Sequence, residues 1–597
     1  MVPLPFLTGF GSAPVPSAAC LRAMLRSRTT EAIDLHNFVT PDRWCVTRQD
    51  LEYLQVTVKS AIREGGIVPP ENGMDDFLSS EKKHGPSIYT VTEQHIKPVT
   101  ALAGKMSWAL MRNPNGLDCD LFISHAWQEG IFEFMSKVLH SWPPLMRHAW
   151  CCMLANPQHL DISSMLQSPL HSPFAIALEA SANVLVVPNH HRSIYTRLWC
   201  AYEAYLAQGE GKTILIARSS NWPAIRQAMR RMFLAAILGM ALAVLVDVHN
   251  WNAALNLAAL CVAAIAAAWS IGTEDHNCQV FVNLVGETTA WFLVLNWCTV
   301  GKEGADHGIA YAIYAGLQRM ELLAFASSFL LLEVDRVRAE AAICEATQLG
   351  RDYSGSIAHA SCSRMEDDEH IRREIGAKIC EVDYAIEVLM AAGISTPSLR
   401  EIAHQGVNIT GAAHSEVTMP LLFLVPLNFI GAVKFFFNVC YLNAGWVIIP
   451  CMEALTVLLR IHLLFLLSWS PPDEKCFILL VVTKLSVLYL VFMLPEIIIW
   501  ESSAIAHVAV NAWFAASCRL LCCLSAEGFA LLGIRRTAKL PCGHHILRLF
   551  FARSFRGYVS ACARNGEELL ECRRSVASRC AETDSSEESS TESEKLC

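Results

Sequence analysis

Between residues 85 and 222, short apolar runs alternate with stretches whose apolar positions recur at helical spacing. The runs "DLFIS" (120–124), "HAWCCML" (148–154), "NVLVVP" (183–188) and "KTILIA" (212–217) predict strands. Between them, "EGIFEFMSKVLHSW" (129–142) sets Ile131, Met135, Val138 and Trp142 on one helical face. "SPFAIALEAS" (172–181) and "SIYTRLWCAYEAYLA" (193–207) also read as helices. Such alternation predicts an α/β domain over 85–222, a parallel sheet with helices on both faces. Upstream, "TRQDLEYLQVTVKSAIREGG" (47–66) predicts a helix that stops at its Gly pair, within a partly disordered N-terminal region, 1–84.

Beyond 222 the pattern changes to long apolar runs. They cover 233–248, 253–272, 279–300, a weaker one at 308–333, then 419–442, 445–469, 476–500 and 503–533. Each approaches the ~20 residues that cross hydrocarbon. The expected architecture is therefore an all-α polytopic membrane region in two halves, 233–333 and 419–533. A polar helical segment, 334–416, separates the halves. A basic, then acidic and Ser-rich tail, 534–597, follows. Arg319 and Glu321 interrupt the weaker run, so the count stays open between seven and nine. The basic cluster "RQAMRR" (226–231) before the first run puts the N-terminal domain in the cytosol by the positive-inside rule. With eight spans, 334–416 and the tail lie there too. "ETDSSEESSTESE" (582–594) predicts disorder.

Composition sharpens this picture. The 597 residues are 53% hydrophobic and 17% charged, against ~25% charged in soluble chains, and the expected partner is a lipid bilayer. A net charge of −9 argues against nucleic acid. The 23 Cys follow no disulfide framework and read as reduced thiols. "MVPLPFLTGFGSAPVPSAAC" lacks a basic start and is broken by Pro, so it reads as a flexible tail rather than a secretory signal. The basic "LRAMLRSR" after it leaves a transit peptide open.

Ligands of open α/β sheets bind beyond the carboxyl ends of the strands. "DLFIS" ends at Ser124-His125-Ala126-Trp127, and "NVLVVP" ends just before the helix that carries Trp199 and Glu203. If the two strands are neighbours, these residues line one crevice. Trp199 and Glu203 stand one turn apart, on a shared helical face. "DLFISHAW" and "NVLVVP…RLWCAYEAYLA" resemble the first and later motifs of Toll/interleukin-1 receptor (TIR) domains, the later one ending in Trp-Cys-x-x-Glu. The pairing of "SHAW" with "RLWC..E", and the stretch 96–134, are similar to TIR-like membrane proteins of protists, dinoflagellates above all. The resemblance covers about a quarter of the chain. It implies a flavodoxin-like fold and a role in signalling, by self-association or by cleavage of the nicotinamide–ribose bond of NAD. It carries a catalytic role to Glu203. Ser124, His125, Trp127 and Trp199 become ligand-contacting candidates, with NAD as substrate and no resident cofactor or metal. Arg197 stands where many TIR domains have Ser, and His125 replaces the residue common after "FIS". A channel or transporter regulated by the TIR-like domain is the alternative.

Other clusters have bland readings beside sharp ones. "PNHHR" (188–192) is a phosphate contact or a solvated loop. "PCGHH" (541–545) has no second ligand pair at zinc-finger spacing. Cys518, Cys522 and Cys523 are palmitoylation sites or small buried hydrophobes. Glu287, Lys434, Glu453, Arg460, Lys484 and Glu496 mark an ion path or interhelical pairing.

Overall fold

A computed structural model describes residues 32–246, 253–300, 308–405, 409, 412, 448–499 and 505–547, with short interruptions at 79, 160–164, 166–167, 274 and 544. The expected span at 419–442, Lys434 and the acidic tail lie outside these residues. The chain divides into two bodies, residues 1–210 with 361–374, and 211–360 with 375–597.

The first body starts well before residue 85. Strand β1 (Val46–Thr47) runs into helix α1 (Arg48–Arg63) through a capping box. The Asp50 amide donates to Thr47 Oγ1, and the Thr47 amide donates back to Asp50 Oδ2. Leu51, Leu54, Val58 and Ile62 form the buried stripe of α1. β2 (Leu121–Ser124) is buried at every position. It is followed by α2 (Ile131–Ser141), on which Ile131, Met135 and Val138 are buried as the periodicity predicts, with Trp142 buried just beyond. β3 (His148–Cys151), α3 (Pro173–Ala180), β4 (Asn183–Val186) and α4 (Leu198–Gly209) complete the series. The apolar run 148–154 is a strand only to Cys151, and Cys152–Ala155 turn helical.

The strands of this body lie in the order β1-β3-β2-β4. β2 runs parallel to both neighbours, with Phe122 opposite Trp150 on one side and Val184 on the other. β1 pairs antiparallel with β3, so the sheet is mixed and not wholly parallel as expected. A two-residue edge strand needs no crossover helix, and its length hides any period-2 signal. Residues 361–374 join this body too. Ser361 exchanges backbone bonds with Thr196 and Leu198, and Tyr202 donates to Glu374 at 2.6 Å.

The second body is mostly helical. Its short strands β5 (Thr213–Ile216) and β6 (Ile394–Ser395) pair antiparallel. The helices are α5 (Trp222–Leu245), α6 (Ala253–Gly272), α7 (His276–Val300), α8 (Gly308–Leu349), α9 (Ile379–Ala392), α10 (Pro397–His404), α11 (Ile448–Trp469), α12 (Pro472–Ile499) and α13 (Ile505–Ala538). Five segments among the described residues are long and apolar enough to cross a membrane: Trp222–Leu245, Leu255–Gly272, His276–Asn296, Ile448–Trp469 and Ala516–Ala538. Their exposed faces carry large apolar side chains such as Phe233, Leu245, Trp269, Phe465 and Leu521, a surface suited to hydrocarbon. The run 308–333 is not among the five. It is the first part of α8, which continues unbroken for 42 residues. Small residues bring helices close: a Cβ on Gly239 of α5 would lie 2.1 Å from the Thr288 carbonyl oxygen of α7.

Candidate functional site

The end of β2 delivers Ser124 beside the inward face of α4, whose Leu198, Cys200–Ala204 and Ala207 are buried. The Ser124 hydroxyl donates to Glu203 Oε2 at 2.5 Å. Glu203 is 6% exposed. Burial pushes its carboxyl up to about 8, while the Ser124 bond and the Arg197 charge pull it part of the way back. At neutral pH it is largely protonated. Arg197 itself donates to Gln128 Oε1 at 3.0 Å and acts on Glu203 through its charge.

His125 is buried, and its Nε2 lies 3.1 Å from Cys152 Sγ. Burial drives the imidazole down to about 4 and the Cys152 thiol well above its ordinary value. The pair is therefore neutral imidazole and neutral thiol, not the thiolate–imidazolium of a nucleophilic cysteine. Trp127, half-buried, tilts against Tyr89 at 5.2 Å between ring centroids. Ser124 and Glu203 are thus joined directly, and His125 meets α4 where the Cys200 thiol donates to its carbonyl oxygen at 3.6 Å. Trp199 does not share Glu203's surroundings. It stacks on Phe174 at 5.3 Å, and its Nε1 donates to Asp367 Oδ2 at 3.3 Å.

A second polar cluster draws on residues that no sequence motif links. Glu133 of α2 faces His84 and His190, with His190 Nδ1 2.6 Å and His84 Nδ1 3.3 Å from its Oε2. Lys137, one turn on and 1% exposed, sits 3.0 Å from Glu133 Oε1 and donates to the Pro188 carbonyl at 2.6 Å. Burial opposes ionisation of Glu133, but the Lys137 charge and the His190 bond hold its carboxyl below the usual range. The "PNHHR" loop reads in the sequence as a phosphate contact or a solvated loop, and His84 and Glu133 carry no signal there. In the loop, the His191 and Arg192 amides both donate to Asn189 Oδ1 at 3.0 Å.

The second body holds charges in its helices. Arg519 of α13 lies 2.8 Å from Glu453 of α11 and 3.5 Å from Glu321 of α8, all three buried. Asn283 of α7 donates to Glu333 of α8, which also takes two bonds from Arg336. Arg460 lies over the Tyr489 ring at 5.8 Å. The side chain of Glu496 is outside the described residues. No family model, curated protein or solved structure matches the chain.

Proposed function

We propose that the chain is a membrane-anchored, TIR-like signalling protein whose first body binds NAD at the carboxyl edge of its sheet and cleaves the nicotinamide–ribose bond, with Glu203 as the catalytic carboxylate. The observation that carries this reading is Glu203 itself, buried beside the last residue of the central strand and bonded to Ser124. The order β3-β2-β4 supports it: counted without the edge strand it reads second-first-third, as in flavodoxin-like sheets, whose ligands sit between the first and third strands. In this reading the place corresponds to the ends of β2 and β4, where Ser124 pairs in register with Val186.

In the proposed step the ribose–nitrogen bond breaks, and its electron pair leaves with nicotinamide, which becomes neutral. Positive charge develops on the ribose, and water takes the vacated carbon and loses a proton. An ionised carboxylate beside that centre stabilises the charge. The cationic ring of bound NAD favours ionisation of a carboxyl that rests protonated. In this reading the apolar helices anchor the first body on the cytosolic face, and contacts between copies transmit the signal.

The test is NAD turnover by the full-length protein in lipid nanodiscs. Glu203→Gln keeps the shape and the Ser124 partner, and its turnover is expected to fall by a factor of at least ~100. Equal turnover in both proteins, or none in wild type even when clustered on the membrane, removes the catalytic role. The buried Arg519–Glu453–Glu321 cluster supports a second reading, a bundle that conducts ions and is regulated by the first body. Under that reading Glu453→Gln alters flux in reconstituted vesicles while the protein stays folded. No flux above empty vesicles over a broad ion panel rules it out.

A further inference from the structure

We propose that His84, Glu133 and His190 form a binding site for a divalent first-row transition ion, zinc being the natural probe. The proposal stands apart from the reading of Glu203. One ligand atom from each residue lies within 4.8 Å of the other two, and no other group of three or more His, Cys, Asp or Glu among the described residues meets that spacing. An ion bonded at ~2.1 Å to three donors in tetrahedral array holds those donors about 3.4 Å apart. The His84–Glu133 separation of 3.3 Å already matches, and the His190–Glu133 separation of 2.6 Å requires the imidazole to retreat by under about 1 Å. Two imidazoles and one carboxylate select zinc, cobalt or iron(II) over magnesium and calcium, which demand oxygen ligands.

Each donor is anchored by contacts outside the group of three, Lys137 serving both Glu133 and the His190 loop. The His84 backbone is pressed against the start of α2: its carbonyl accepts from the Phe132 amide at 2.9 Å. A Cβ on Gly130 would lie 2.4 Å from that same oxygen, so only glycine lets the segment sit there. Gly85, at φ +70°, then turns the chain away. Glu133 is fixed by Lys137, which takes Oε1 and leaves Oε2 to both imidazoles. His190 is set by the Asn189 turn and by the Lys137 bond to Pro188. The ammonium bonded to the far oxygen orients the carboxylate, as partners behind metal ligands do. The His84 and His190 side chains are 23% and 28% exposed, which leaves the fourth position open to water. Three protein ligands and one open position is the pattern of zinc sites that exchange a ligand.

The experiment uses the full-length protein in nanodiscs, stripped with chelator and titrated with cobalt(II), then zinc. The expected result is one equivalent bound, with cobalt d–d bands and no thiolate charge-transfer band, which separates this site from the cysteines. His190→Ala and His84→Gln are each expected to weaken binding more than the ~10–100-fold that follows loss of an outer-shell partner. NAD turnover of the stripped protein, measured in parallel, reports on Glu203 alone. Wild type without cobalt bands overturns the proposal whatever the variants do. So does a folded His84→Gln/His190→Ala protein that keeps the same stoichiometry and affinity.

Discussion

Glu203 is a buried carboxyl that costs the first body stability. Its folded pKa of about 8 lies above the ordinary 4.5, so the native state holds a proton that the unfolded chain releases. The sign follows: the native state is favoured at this position below 4.5, and that advantage is lost as pH rises toward 8. Glu203→Gln is therefore expected to be inactive yet more stable than wild type, with a gap in Tm that widens from pH 4.5 to 8; a gap independent of pH would refute the buried, protonated carboxyl. For the proposed NAD cleavage the same titration runs the other way, because that step would need the ionised form. kcat/KM for NAD is expected to climb with pH and level off above about 8. Ser124→Ala removes a bond that favours ionisation, so the climb should move to higher pH, and a profile that stays put would show that the Ser124 contact does not tune the acid. Much of this site was legible in the chain, since "FIS" and "RLWC..E" each sit at the junction of an apolar run and a polar loop. The partner of Glu203 was not: its bond goes to Ser124, 79 residues away, a separation that no local pattern spans.

Among the elements, the periodic helices and the short buried strands β2 and β4 were readable, and the shortest elements were not. The stripe Ile131, Met135, Val138 predicted both α2 and its buried face. The run 148–154 is apolar throughout, and an unbroken apolar run cannot distinguish a strand from the strand-and-turn that it forms. β1 is too short to show alternation. The His84–Glu133–His190 cluster joins residues 49 and 57 apart, outside any motif that spacing could reveal. Helix packing carries its own test. Gly239→Ala places a methyl 2.1 Å from the Thr288 carbonyl, and the clash must part α5 from α7. Overpacking of this kind costs about 1–3 kcal/mol. A lowered Tm with unchanged helix content is expected, and an unchanged Tm would mean that the two helices do not approach as described.

For the whole molecule, the division between an α/β body and an apolar helical body was evident from composition, and its boundary was not. Residues 361–374 read as part of a polar segment between membrane halves, yet they bond to α4 through Ser361, Asp367 and Glu374. Local pattern cannot show such a return of the chain, because it reports on neighbours in sequence. The basic residues at 226–231 lead us to expect the first body on the cytosolic face. Protease applied to sealed vesicles should then cut 334–360 and the N-terminal body from the same side, and cleavage from opposite sides would reverse the assignment. α8 adds a mechanical consequence. At 1.5 Å per residue its 42 residues reach about 63 Å, roughly twice the hydrocarbon thickness. A rod of that length magnifies: pivoted at one end, a tilt of about 10° carries the other end sideways by about 11 Å. If α8 moves as one rigid rod, a small shift at the Gly308 end reaches Leu349 as a displacement the width of a helix.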